Sequence, residues 1–386
     1  MKTVGVGIVG AGWGANHARV VAELGSQVAV RALCARRRER LLPLAGELGL
    51  PEGALETSWE RLVERADIDL VVVTAPDALH HPISMAAIRA GKAVFCEKPL
   101  AMDAVQAREM LDAATAAGVP HFTGYTWRFA PPFATMRRLL GEGVVGPLRF
   151  IDGHFRIGPP LAGKEWQHDP RQRAGGVLGN LGVHLIDLCR AFLLAGGAPA
   201  EVEGWRVWAR TDLAGRAHSG ESGSSGGAGA DGGGSAVNDL VWLQLQMGAG
   251  RDAPQARLQA SQLLTLRAPD PVRVELHGAR ASLAGYANPL APEGQRVALW
   301  ERTSTPAQAV APLDFPGGPP SPPSAALPSG GLLRPTVRHL YEGHILPRLL
   351  EGVSRPDTPT FRDGWLAQRV MDAALRAAEE GSWVAA

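Results

Sequence analysis

Val4-Gly5-Val6-Gly7-Ile8-Val9-Gly10-Ala11-Gly12-Trp13-Gly14-Ala15 decides the fold of the first third of this chain. Val4 to Val9 reads as a buried strand that runs straight into Gly10-x-Gly12-x-x-Ala15, and a helix is predicted over about Ala15 to Leu24. Strand, glycine turn and helix in that order suit a dinucleotide pyrophosphate: a tight turn at Gly10, no Cβ at Gly12, and a positive helix end facing the phosphates. The turn is irregular, because Gly14 comes one position before the usual third glycine. Either Ala15 takes that role or the turn is one residue short. An ordinary glycine turn would carry the same letters; placement in a βαβ unit favours the nucleotide reading. Trp13 and His17 flank the turn and are expected to pack there, Trp13 and Gly14 against the cofactor.

Outward from this stretch, strands and helices alternate. Val28 to Cys34 is a second strand, followed by an amphipathic helix from about Arg38 to Leu48 with Leu41, Leu44, Ala45 and Leu48 at helical spacing. Leu70 to Thr74 is apolar on both faces, as buried parallel strands are. A helix around Pro82 to Ala90 leads through Gly91 into the strand Ala93 to Cys96, and Asp103 caps another helix that ends at Gly118-Val119-Pro120. The pattern predicts an α/β Rossmann domain over residues 1–123, a parallel sheet with helices on both faces.

After Tyr125 the rhythm changes. Leu148 to Phe155, Glu203 to Arg210, Leu240 to Gln246, Arg257 to Leu266 and Val272 to Leu276 alternate as antiparallel strands do. Residues 124–386 are therefore expected to form an α+β substrate and oligomerisation domain on a large, mostly antiparallel open sheet. A C-terminal helix from Asp363 to Glu380 sets Leu366, Val370, Ala373 and Ala377 on one face. Two low-complexity segments interrupt the domain: a flexible loop over 214–236 and a Pro/Gly-rich stretch over 311–331, neither of catalytic character.

Composition narrows the function classes. The 386 residues carry 39 Lys plus Arg against 38 Asp plus Glu, a net charge of +1, so no basic footprint for nucleic acid or a membrane surface is present. Cys34, Cys96 and Cys189 lie far apart in apolar surroundings, which gives no disulfide framework or metal spacing and fits a reducing cytoplasm. The opening residues resemble a short signal peptide, but they are glycine-rich and lead into strand, turn and helix. No uninterrupted apolar run is read as long enough to cross a bilayer.

The end of the second strand reports on the cofactor. NAD sites place an acid there for the ribose 2′-hydroxyl; here the chain reads Ala35-Arg36-Arg37-Arg38. Arg36 and Arg37 can grip a 2′-phosphate, so NADP(H) is favoured over NAD(H), although two arginines also suit the solvated start of a helix. A second cluster follows the strand Ala93 to Cys96. Glu97-Lys98-Pro99 stands just past a strand's carboxyl end, where a parallel sheet presents residues to its ligand crevice. A lysine there can hydrogen-bond a substrate hydroxyl or carbonyl, and Pro99 keeps Lys98 out of the helical region. Taken alone, such a tripeptide is more often a surface turn.

In combination these motifs resemble the Gfo/Idh/MocA family, named for glucose–fructose oxidoreductase, inositol dehydrogenase and a rhizopine-catabolism protein. The resemblance rests on Gly10-Ala11-Gly12, Thr74-Ala75-Pro76 with His80, and Ala90-Gly91-Lys92 followed by Glu97-Lys98-Pro99-Leu100-Ala101. It continues through Tyr125-Thr126-Trp127-Arg128-Phe129, Gly175 to Asp187, and Phe361-Arg362-Asp363-Gly364-Trp365. It implies NAD(P)-dependent oxidoreduction of sugars, polyols and related compounds, with Lys98 as catalytic lysine and His184 as acid/base histidine. Thr74, Ala75, Pro76, His80 and Glu97 are expected at the cofactor, with His80 in the loop after the fourth strand and more readily structural than a cofactor contact. Members with the fullest motif carry an aspartate four residues before the histidine. This chain has Asn180, which shares a helix face with His184 but cannot take a proton.

Proton transfer is thus expected at His184, with Lys98 steadying the developing alkoxide. Without the resemblance, His184 reads equally as a core histidine. Arg128, Lys164, Trp166 and Asp169 are candidates for substrate contact or for structure; His184 with Asp187 lacks a third ligand, so no metal is expected. A sugar lyase or hydrolase that retains NAD, and a non-catalytic dinucleotide sensor, are the competing readings. The open sheet is the expected surface of a homo-oligomer, dimer or tetramer.

Overall fold

The computed structural model describes residues 3–157, 169, 171–199, 201–212, 240–262, 271–288, 295–301, 308–310 and 333–386. The first unit strings together β1 (Val4–Val9), α1 (Gly14–Glu23), β2 (Val28–Cys34), α2 (Leu42–Glu47), β3 (Leu55–Glu56), α3 (Trp59–Glu64), β4 (Leu70–Val73), α4 (His80–Arg89), β5 (Ala93–Cys96), α5 (Ala104–Ala117) and β6 (His121–Thr123). The strands form one parallel sheet in the order β3-β2-β1-β4-β5-β6. Chain order reverses between β1 and β4, and the carboxyl ends of those strands open the crevice in which such sheets take ligands. Every residue of β1, β4 and β5 is buried, because helices cover both faces.

The second unit follows with α6 (Pro131–Gly141), β7 (Leu148–Arg156), a π-turn over Leu178–Gly182, α7 (Val183–Ala195), β8 (Arg206–Asp212), β9 (Leu240–Gln246), β10 (Gln255–Ser261), β11 (Val272–Gly278), β12 (Ala281–Ala287), β13 (Arg296–Glu301) and β14 (Gln308–Val310). After α8 (Leu333–Leu340), α9 (Leu346–Glu351) and α10 (Phe361–Glu380), the short β15 (Val384–Ala385) closes the sheet's far edge. Among the described residues nine strands pair in the order β14-β13-β12-β11-β7-β10-β9-β8-β15. All neighbours are antiparallel except β7 and β10. One face buries Ile151, Phe155, Leu243, Leu258, Val274 and Leu276 in a core shared with α6, α7 and α10. The other face carries polar side chains such as the Arg257–Asp152 pair and the Arg156–Gln259 contact.

Several boundaries differ from the sequence expectation. The helix expected from Arg38 begins instead at Leu42 after a 3-10 turn, with Pro43 in its first turn. Proline has no N–H and its ring clashes with the carbonyl four residues back, so a helix cannot run through it. β8 starts at Arg206 rather than Glu203, after a turn in which Gly204 has φ +78°. The stretch Leu178–Ala195 is, by length and composition, apolar enough to cross a bilayer, contrary to the reading above; most of it is buried as a core helix. The expected loop 214–236, the segment 311–331, Lys164 and Trp166 lie outside the described residues.

The largest departure is the path of residues 333–351. Val337, Leu340, Tyr341, Ile345 and Leu346 join Val6, Ile8, Phe95 and Phe122 in the core of the first sheet. The first unit is thus completed by a segment more than 200 residues beyond β6.

Candidate active site

The glycine turn resolves its own irregularity. Gly10 has φ +118°, and a Cβ there would meet Thr74 atoms at 2.4–2.7 Å, so only glycine fits. At Gly12 a Cβ would meet nothing within 4 Å, which leaves open backbone for a pyrophosphate at the start of α1. Gly14 supplies the close helix–strand packing: its Cβ would meet Ile8 Cγ2 and Thr74 Oγ1 at 2.8 Å. Gly14, rather than Ala15, fills the third glycine's place. Thr74 Oγ1 in turn donates to the Val9 carbonyl at 2.9 Å and pins the end of β1 to the end of β4. These features fit a dinucleotide.

Lys98, Asn180 and His184 come together as the sequence suggests. Lys98 leaves the end of β5 through a cis Lys98–Pro99 peptide, and its Nζ donates to the Asn180 carbonyl at 2.8 Å and lies 3.5 Å from Asn180 Oδ1. Both acceptors are neutral. Burial, aided by the positive charge of Arg173 and opposed by Glu97 and Asp77, brings the Lys98 ammonium down to about 8. Asn180 sits in the π-turn that precedes α7, a helical irregularity common at functional sites. One turn later His184 is 7% exposed among Tyr125, Trp127 and Phe155, with ring centroids 6.0–6.4 Å away. Burial in this aromatic box, with Lys98 nearby, lowers its pKa well below the usual histidine value, so the ring is neutral. His184 Nδ1 has no hydrogen-bond partner among the described residues, nor has the hydroxyl of Tyr125.

Glu97 is tied to the glycine turn. Its Oε1 accepts from Trp13 Nε1 at 2.9 Å and lies 3.4 Å from His17 Nε2, and its Oε2 accepts from the Lys98 amide at 3.2 Å. His17 Nδ1 lies 3.2 Å from the Tyr341 hydroxyl. Burial alone would raise the Glu97 carboxyl, but His17 and Lys98 outweigh it and hold it below its ordinary value. Trp13 and Glu97 therefore brace the turn. The part of Tyr341 was not legible in the sequence, because only the return of 333–351 brings it there.

Two candidates take the structural of their two readings. Arg128 is 3% exposed and its guanidinium is taken up by Asp187 (2.7 and 2.5 Å), Asp363 (2.7 Å) and the Asp357 carbonyl (3.5 Å). It knits α7 to the capping box that starts α10, so four of its five N–H donors are spent on structure. His80 is 1% exposed at the start of α4, its ring nitrogens 2.8 Å from the Pro99 carbonyl and 3.0 Å from the Ala75 carbonyl. Both ring nitrogens are engaged by main-chain carbonyls, so neither is left for a dinucleotide. Asp77, which the sequence reading passed over, accepts from the Ala174 amide at 3.1 Å and ties the end of β4 to the segment leading to Asn180.

Beyond β2, Arg36 and Arg37 are exposed while Ala35 is half-buried. Arg38 is spoken for by the carbonyls of Leu55 and Glu52 and by the Glu52 carboxylate. Glu56, opposite Cys34 on β3, faces Arg61 and Arg65 at 3.5 Å. Asp169 pairs with Arg171 and Gln172 on the surface.

Residues 4–125 match the model of the oxidoreductase family with an NAD-binding Rossmann fold, and residues 133–284 match the GFO/IDH/MocA C-terminal domain. The chain belongs to the Gfo/Idh/MocA family. It is 41% identical over 157 residues to 1,5-anhydro-D-fructose reductase of Ensifer adhaerens, an alignment covering 40% of this chain and 46% of that one. It is 33% identical over 162 residues to inositol 2-dehydrogenase/D-chiro-inositol 3-dehydrogenase of Lactiplantibacillus plantarum, covering 40% and 45%. The chain spans about half the length of the curated relatives it matches. The crystal structure of an oxidoreductase domain protein from Kribbella flavida superposes with a TM-score of 0.78 at 26% identity, over 100% of this chain and 99% of that one. Both halves of the Gfo/Idh/MocA architecture are therefore present.

Proposed function

We propose that this chain is an NAD(P)-dependent oxidoreductase acting on a CH–OH carbon of a sugar- or polyol-like molecule, with Lys98 as the proton-transfer group. One observation carries the reading: a lysine ammonium lowered to about 8 and resting on neutral acceptors beside Asn180 and His184, at the carboxyl end of β5. The names of the relatives, a sugar reductase and an inositol dehydrogenase, support the substrate class. Gly10, Gly12, Trp13, Gly14, Ala15, Thr74, Ala75 and Pro76 would border a dinucleotide whose nicotinamide supplies or accepts hydride. The chain's own contribution is proton handling and positioning. Above its pKa, neutral Lys98 takes the hydroxyl proton during oxidation; below it, the ammonium donates to a carbonyl oxygen during reduction. His184, neutral and boxed by aromatic rings, offers one N–H or one lone pair to the substrate oxygen rather than a stored proton. This reverses the emphasis expected from sequence.

NADP(H) is the proposed cofactor, because exposed Arg36 and Arg37 are available for a 2′-phosphate and Glu56 is engaged by arginines. The free, buried cysteines fit a reducing cytoplasm, and the polar outer face of the nine-stranded sheet is the proposed surface of a homo-oligomer. Calorimetric titration with NADP, NAD and their reduced forms, then a sugar and polyol panel with the tighter binder, tests the whole reading. Replacing both Arg36→Ala and Arg37→Ala should weaken NADP at least ~10-fold and leave NAD within a factor of ~3. Equal losses for the two cofactors would remove the arginines from the site, and tight binding without turnover on any substrate would remove the enzyme.

A further inference from the structure

We infer that His80 is a permanently charged, buried imidazolium that positions Lys98 by clamping the Pro99 carbonyl to the Ala75 carbonyl. The inference rests on the role given to Lys98 above. Its core is a count of donors. Besides the Cys96 side chain, the His80 ring nitrogens meet two backbone carbonyl oxygens, at 2.8 and 3.0 Å, and a carbonyl can only accept. A neutral imidazole has one N–H and one lone pair. In that form one of the two carbonyls would face a lone pair at hydrogen-bond distance, with the residue 1% exposed and water excluded. The doubly protonated ring satisfies both contacts, and the choice does not depend on which tautomer is drawn.

The surroundings suit the charge. Asp77, three residues earlier, is buried, which raises its carboxyl; the His80 ring and the Ala174 amide, which donates to it at 3.1 Å, oppose that rise and favour the carboxylate. Cys96 of β5 also faces the ring, while Lys98 and Arg173 act on Asp77 from the far side. Burial and the amino end of α4 both disfavour a cation here, so a neutral ring would be expected if Cys96, Asp77 and the carbonyls were not arranged around it. The three backbone points held in this way are the end of β4, the Lys98–Pro99 segment and the lead into the π-turn of Asn180. They are the three pieces that must stay in register for Lys98 Nζ to meet Asn180.

Nitrogen-15 NMR of histidine-labelled full-length protein reads the charge without any turnover. At pH 8.5, where ordinary histidines are neutral, one histidine should show both ring nitrogens protonated, and His80→Gln should abolish that signal. A His80 with one bare nitrogen overturns the inference. In kinetics, His80→Gln, which can serve only one carbonyl, should lower kcat at least ~10-fold with KM and dinucleotide affinity within a factor of ~3. It should also move the Lys98 limb of the pH profile upward, since Asp77 is left unneutralised. Asp77→Asn should move that limb downward and let the imidazolium lose its proton at lower pH. Shifts in these opposite directions support positioning. If neither limb moves, or kcat is unchanged in His80→Gln, the positioning role is overturned. Should His80→Gln fail to fold, Asp77→Asn decides alone: kcat must fall as the imidazolium signal disappears. Failure of the oxidoreductase reading would appear separately, as no turnover by the parent protein while the imidazolium signal persists.

Discussion

Two buried charge clusters lie side by side in this protein, joined by the ring of Tyr125, and they are built on opposite terms. In the first, Arg128, Asp187, Asp363 and Arg190 pair at 2.5–3.1 Å, and every formal charge meets its opposite. In the second, Lys98 rests on a neutral amide and carbonyl, while His184 Nδ1 and the Tyr125 hydroxyl lack partners among the described residues. The Tyr125 ring touches both, with Arg128 over its face at 5.9 Å and His184 edge-on at 6.4 Å. A saturated cluster fixes geometry, because any displacement uncovers a buried charge. An unsaturated one keeps its capacity to exchange a proton and to bond a ligand. The saturated knot is the anchor against which the unsaturated site is aimed.

The contrast can be broken at three strengths. Lys98→Ala should cost the most, a fall in kcat of about 10²–10⁴-fold with little change in urea midpoint or dinucleotide affinity. A large stability loss instead would move Lys98 into the structural class. Arg128→Met should do the reverse and lose about 3–5 kcal/mol of stability by leaving Asp187 without its ion-pair partner and Asp363 with Arg190 alone, read from chemical denaturation. Asp363 and Asp187 contribute to its pH dependence with opposite signs, since burial raises the Asp187 carboxyl despite Arg128, and the Asp363 part is the one lost in acid. Burial would raise the Asp363 carboxyl, but Arg128 and Arg190 outweigh it and hold it well below its ordinary value. That contribution is therefore full above about pH 4 and is lost as pH falls below it; in Arg128→Met the acid-side loss should shrink. Asn180→Asp is the mildest change and sharpens the comparison by making the second cluster resemble the first. A carboxylate beside Lys98 should raise its pKa by about 1 unit, moving the rising limb of the oxidation profile to higher pH. An unmoved limb would show that Lys98 is not the group that titrates.

Sequence legibility followed the range of the interactions. The glycine turn and Glu97-Lys98-Pro99 were readable because their meaning lies in neighbouring residues and in the strand before each. Asn180 and His184 were readable as a pair through helix spacing and resemblance, but the neutrality of His184 was not. It depends on Tyr125, Trp127 and Phe155, which reach the ring from two other elements. Arg128 looked available for substrate because nothing near it in sequence announces Asp187 or Asp363, 59 and 235 positions away. His80 was readable as structural but not by its partners. Its partners are main-chain carbonyls, which leave no letter in the sequence. Segment 333–351 was missed because its apolar face answers a core assembled from the opposite end of the chain.

That last segment has a consequence for how the protein comes into being. Tyr341 reaches the His17 ring beneath the pyrophosphate turn, and Leu340 and Ile345 fill the core under β1 and β5. A nascent chain that has emerged only as far as β6 has all six parallel strands but not the side chains that close their lower layer. The nucleotide pocket is therefore a late product of synthesis, finished when the second unit has already been made.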